Sequence, residues 1–123
     1  MELPEGLKFT EDHIWIKKDG KKARLGITNY AQDELGDVVF VDLPQEGEEY
    51  SLKEVFGTVE SIKTVSDLFM PVKGLIISVN QKLLDNPELI NKEPYREGWI
   101  VEIKIQGNEE KLISRQKYKS IIS

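Results

Sequence analysis

The sequence predicts a mainly β fold, a barrel or sandwich with small helical additions. Apolar runs are short and separated by frequent turn signals, the pattern of many short strands. Trp99, Val101, Ile103 and Ile105 alternate with Glu102, Lys104 and Gln106, the period of two of a half-buried strand. Helix signals are few and local.

Ile14–Ile16 and Ala23–Ile27 flank a polar stretch containing Asp19-Gly20. Asp-Gly between apolar runs predicts a hairpin, because both residues tolerate the positive φ of a type I′ turn. Thr28 is placed to N-cap a short helix over Tyr30–Leu35, closed by Gly36. Val38 to Leu43 reads as a buried strand stopped by Pro44, with Gly47 in the next turn. Val55 to Ile62 reads as another, with Gly57 allowing a bulge or close approach. Leu68 to Pro71 and Leu75 to Val79 are two more. Lys82–Leu84 and Pro87–Ile90 are helical turns. From Asn108 on, Leu112, Ile113, Tyr118, Ile121 and Ile122 predict a C-terminal helix packed back on the body. Pro44-Gln45-Glu46-Gly47 and Pro71-Val72-Lys73-Gly74 echo one another, which would suit two similar halves. The length of 123 residues predicts a single domain over 1–123.

Composition excludes several functions. A net charge of −5 disfavours nucleic-acid binding and suits basic patches on protein partners. No apolar run approaches the roughly 20 residues of a membrane span, and Met1–Thr10 lacks a signal-peptide core. A cytoplasmic location is therefore expected. There is no cysteine, hence no disulfide, thiolate ligand or Cys nucleophile. With one histidine, His13, a structural zinc site is not expected, and no catalytic set emerges from spacing. His13 reads either as a polar residue at a strand start or as part of a functional cleft.

The informative segment is Glu60-Ser61-Ile62-Lys63-Thr64-Val65-Ser66-Asp67. A strand runs into Ser61 and another leaves after Asp67. Ser66 and Asp67 are expected to hydrogen-bond the turn backbone. Lys63 would stand at its tip, clear of the sheet and reachable by a modifying enzyme.

Taken together, several stretches resemble H proteins of the glycine cleavage system. They are His13-Ile14-Trp15, Gly26–Gln32, Leu35–Pro44, Glu60–Lys63, Ser66-Asp67, Pro71–Gly74, Val79-Asn80, Pro87–Asn91, Pro94-Tyr95 and Gly98-Trp99. They follow family order over roughly residues 6 to 105. The resemblance implies a hybrid barrel-sandwich related to lipoyl and biotinyl domains, with short helices and a C-terminal helix. It places the lipoyl lysine on Lys63, with Glu60, Ser61 and Asp67 in the lipoylation motif. The implied cofactor is lipoate, covalently bound as lipoyl-lysine.

The implied role is a non-catalytic carrier. It would take an aminomethyl group from a pyridoxal-phosphate glycine decarboxylase to an aminomethyltransferase, then present the dithiol to dihydrolipoamide dehydrogenase. A lipoate ligase or a lipoyl/octanoyl transferase would modify it. Asp12, His13 and Asp67 are the candidates for a cleft that shelters the arm. Ile14 stands where the family commonly has a cleft Glu, which implies a looser hold, and Glu34 stands where the family often has His. These departures keep a second carrier role open: an H-like lipoyl protein for a heterodisulfide-reductase-like sulfur-oxidation system, or a lipoyl relay.

Overall fold

The computed structural model describes residues 3–123; Met1 and Glu2 of the leading segment lie outside them. The strands are β1 Lys8–Phe9, β2 Ile14–Asp19, β3 Lys22–Ile27, β4 Val38–Asp42, β5 Glu49–Tyr50, β6 Val55–Ser61, β7 Val65–Phe69, β8 Gly74–Val79 and β9 Val101–Ile105. The helices are α1 Asn29–Leu35, α2 Lys82–Asp85, α3 Leu89–Lys92 and α4 Arg115–Ile122. Strands pair antiparallel in two sheets, one ordered β1-β2-β3-β9-β8-β5 and the other β4-β6-β7. The mainly β fold with short helices and a C-terminal helix matches the sequence expectation.

The two Pro-x-x-Gly segments have a topological meaning. Each carries the chain from the small sheet to the large one, β4 to β5 and β7 to β8. β5 and β8 then pair, with Tyr50 opposite Gly74. Two similar crossovers thus meet at one edge of the large sheet.

The main core joins residues of both sheets, including Ile16, Leu25, Val41, Val59, Leu68, Ile76 and Ile103. Each such side chain contributes about 1.5–3 kcal/mol by leaving water. A second cluster, Leu3, Phe9, Trp15 and Tyr118, is roofed by α4. Neighbours on a strand point to opposite faces. Trp15 and Ile16 are both buried because the large sheet is covered on both faces here. The Phe9 and Tyr118 rings stack at 4.8 Å. Trp15 Nε1 donates to the Pro94 carbonyl at 2.9 Å. Opposite Trp15, a Cβ at Gly26 would stand 2.7 Å from the indole, so only glycine fits.

Several local expectations need correction. The hairpin turns on Gly20-Lys21, since Asp19 already pairs with Lys22. Gly20 has φ +63 while Lys21 stays at negative φ, so the turn has the glycine-first form of type II′ rather than type I′. β4 ends at Asp42 and is only half buried, with Val39 and Phe40 exposed on the outer face. β7 begins at Val65, three residues before the predicted start, because pairing with β6 extends it toward the turn. Residues 108–114 are not helical; Ile113 bridges Phe9, and α4 starts only after the Ser114 cap. The two-residue strands β1 and β5 are too short for any periodicity to announce. Gly57 does sit at a register shift, where a Cβ would lie 2.5 Å from the Asp42 carbonyl oxygen.

Candidate functional site

β6 and β7 are joined by only Ile62, Lys63 and Thr64. Ser61 organises this bend. Its backbone N–H donates to the Thr64 carbonyl at 2.8 Å. Its hydroxyl donates to that carbonyl at 3.3 Å and accepts from the N–H groups of Lys63 at 3.3 Å and Thr64 at 3.2 Å. A serine hydroxyl standing in for backbone is a turn device. The Ile62 N–H donates to the Asp37 carbonyl at 3.1 Å, anchoring the bend to the α1–β4 connection. Ser66 and Asp67 do not brace the turn. They lie within β7, opposite Val59 and Thr58.

Lys63 is exposed at the tip. It is not clear of its surroundings, however: its aliphatic stem lies against Gly36, where a Cβ would stand 3.0 Å from Lys63 Cε. Gly36 ends α1 at φ 82, ψ −160, a conformation that glycine alone adopts readily. Asn91 fixes this corner. Its Nδ2 donates to the Gly36 carbonyl at 2.9 Å and to Gln32 Oε1 at 2.9 Å, and its Oδ1 accepts from the Val38 N–H at 2.8 Å.

Beside the bend is a cleft of about 440 Å³ between β7, α1 and the segment before β2. Ile27, Leu35, Val59 and Leu68 give it apolar walls, and Asp12, His13, Glu34 and Asp67 give it polar ones. Asp12, His13 and Asp67, the sequence candidates for an arm cleft, all line this one cleft. Thr64, next to Lys63, lines the same cleft. Glu60 does not; it faces outward between Phe40 and Val65. Ile14 does not reach the cleft either. It is buried in the main core, so Ile14 contributes packing and no cleft contact.

Sequence reasoning missed Tyr30 and Tyr118, and did not place Glu34 in the cleft. Tyr30 and Glu34 are four apart on α1 and share a helix face, a spacing that would have grouped them. Nothing local announces Tyr118.

Charge and hydrogen bonding shape the cleft. Asp12 pairs with Lys53 Nζ at 2.7 Å. Among the described residues, Glu34 and Asp67 form no ion pair. His13 has φ 67, unusual outside glycine, held by its N–H to the Thr10 carbonyl and by its carbonyl accepting from the Thr28 N–H. His13 Nδ1 lies 2.8 Å from the Tyr118 hydroxyl, and its ring packs 5.1 Å from Tyr30. Burial pulls the imidazole below its usual pKa, against the opposing pull of Asp12 and Glu34. Among the described residues no group of His, Asp and Glu is arranged to hold a metal. No described helix is long and apolar enough to cross a membrane.

Comparison with known proteins agrees with this architecture. Residues 7–123 match the family model described as glycine cleavage H-protein. The glycine cleavage system H protein of Bacteroides fragilis is 46% identical over 125 aligned positions, covering 100% of this chain and 99% of the relative. That of Halalkalibacterium halodurans is 50% identical, covering 98% and 96%. The crystal structure of a glycine cleavage system H protein from Mycobacterium marinum superposes with a TM-score of 0.90 at 40% identity, covering 96% of this chain and 97% of that one. On sequence and architecture alike, the chain belongs to the glycine cleavage H-protein family.

Proposed function

We propose that the chain is a single-domain carrier of the glycine cleavage system, lipoylated on Lys63. It would move the aminomethyl group of glycine from the decarboxylase to the aminomethyltransferase and then present the dithiol to dihydrolipoamide dehydrogenase. The observation that carries this reading is an exposed lysine on a serine-braced bend, next to a cleft with apolar walls and carboxylates. Lipoate would supply the redox-active sulfurs that a chain without cysteine lacks.

The residues fit that group. Lys63 offers an amine for an amide, and Glu60 and Ser61 flank it for the ligase or transferase that makes the bond. Ile27, Leu35, Val59 and Leu68 suit an alkyl arm. Glu34 and Asp67 suit a cationic amine at its end. Excluding water there would slow loss of a labile cargo. Tethering adds effective concentration, up to roughly millimolar when the span fits. The chain itself breaks no bond in this scheme. The sulfur-oxidation and relay reading is not favoured, since the relatives compared carry the glycine cleavage name.

Intact mass after expression with lipoate and a ligase tests the modification. A gain of roughly 190 Da that disappears in Lys63→Arg is expected. Glycine–bicarbonate exchange with the decarboxylase tests the system, and a modified chain that supports none would reject it.

A further inference from the structure

The hydroxyls of Thr28 and Tyr118 and the imidazole of His13 form a short buried chain leading to the cleft. Thr28 and Tyr118 are both fully buried. Thr28 Oγ1 accepts from the Ala31 N–H at 3.2 Å as the cap of α1. It lies 2.6 Å from the Tyr118 hydroxyl, which lies 2.8 Å from His13 Nδ1.

Proton counting gives this chain a direction. A hydroxyl has one proton to donate. Among the described residues, the Thr28 proton has one acceptor in reach, the Tyr118 oxygen. The Tyr118 proton then goes to His13 Nδ1, and the ring's own proton sits on Nε2. The reverse order would leave the Thr28 proton buried without a partner, which is costly. Protonating His13 leaves one of the two buried hydroxyl protons without an acceptor, because Nδ1–H must then donate to Tyr118.

We propose that Tyr118, on the C-terminal helix, is a positioning residue that holds His13 as the neutral ring protonated at Nε2, keeping positive charge out of the cleft so that it accepts a cationic amine. The proposal rests on the reading of this cleft as the shelter of the carrier arm. The groups around His13 make this hold necessary: Asp12 and Glu34 favour the charged ring, burial opposes them, and Asp67 lines the cleft on β7. Lys53 is held on Asp12, and Tyr30 packs on the ring. A charged imidazole would cancel one of the carboxylates and repel an ammonium group.

Long-range 15N–1H spectra of the full chain, unmodified and at neutral pH, read the tautomer directly. Wild type should show the Nε2–H form. Tyr118→Phe, which keeps the ring stacked on Phe9, should show a mixture, with proton affinity at His13 raised roughly tenfold. Thr28→Ser keeps the hydroxyl and should match wild type. An Nδ1–H ring in wild type overturns the proposal, as does unchanged affinity in Tyr118→Phe. If Tyr118→Phe does not fold, the wild-type spectrum still decides. These readings need no lipoate, so they stand apart from the modification of Lys63. In exchange assays with one set of enzymes, the acid limb should move to higher pH in lipoylated Tyr118→Phe. A limb that does not move removes the positioning role.

Discussion

The stem of Lys63 rests against Gly36: a Cβ at Gly36 would stand 3.0 Å from Lys63 Cε, close enough that the lysine would have to shift. The exposed lysine of β6–β7 and the last turn of α1 thus form one unit. Gly36→Ala would force a side chain into a conformation nearly exclusive to glycine and push the lysine off its seat. A loss of about 1–3 kcal/mol is expected in chemical denaturation. Wild-type stability would show that the corner relaxes freely.

Lys63→Arg should behave in the opposite way. The side chain is exposed, so stability should stay within about 0.5 kcal/mol of wild type while all lipoylation disappears. Thermal denaturation and intact mass on one sample check both halves. A strongly destabilised Lys63→Arg would mean that the lysine is structural.

Ser61→Ala removes the hydroxyl that serves the Lys63 and Thr64 amides. The cost should be about 1 kcal/mol: Ser61 is buried, but the two amides belong to exposed residues that water can partly reach. Lipoylation should slow, because the lysine would no longer be presented in one geometry. Ligase kinetics at fixed carrier concentration measure this; an unchanged rate would show that Ser61 serves stability alone.

Asn91→Ala strips three hydrogen bonds from the corner under Lys63. It leaves the Val38 N–H and the Gly36 carbonyl without their partner. A loss of about 2–3 kcal/mol is expected, with faster amide exchange at Val38.

The pH dependence follows from His13. Its folded pKa lies below the ordinary value of 6.5, because burial disfavours the charged ring. The unfolded chain therefore binds more protons as pH falls below that value. The stability linked to the neutral ring is fully present above about pH 6.5 and is lost as pH falls toward the folded pKa. His13→Asn tolerates the positive φ and should flatten this part of the curve. Urea denaturation between about pH 5 and 7 separates the two; equal slopes would mean that His13 titrates as it does unfolded.

Much of this is legible in the sequence. The β2–β3 hairpin, the Thr28 cap and Gly36 stop of α1, the bulge at Gly57 and the strand of alternating residues ending at Ile105 each depend on neighbours a few positions apart. Signals of that range survive in a linear reading. Lys63 stood out because a strand ends just before it. Local turn propensity points to Ser66 and Asp67, whereas Ser61 braces the bend. Both choices obey the same local rule, and only strand pairing decides where β7 begins.

The sequence by itself determined the mainly β class, the bend that carries Lys63 and membership of its family. The family resemblance grouped Asp12, His13 and Asp67; tertiary structure alone decided that Tyr30 and Glu34 of α1 line the same cleft and that Tyr118 reaches His13 across a separation of 105 residues. The reason is physical. A contact of that range is selected by which sheet faces bury together, and no propensity or spacing at either end encodes its partner.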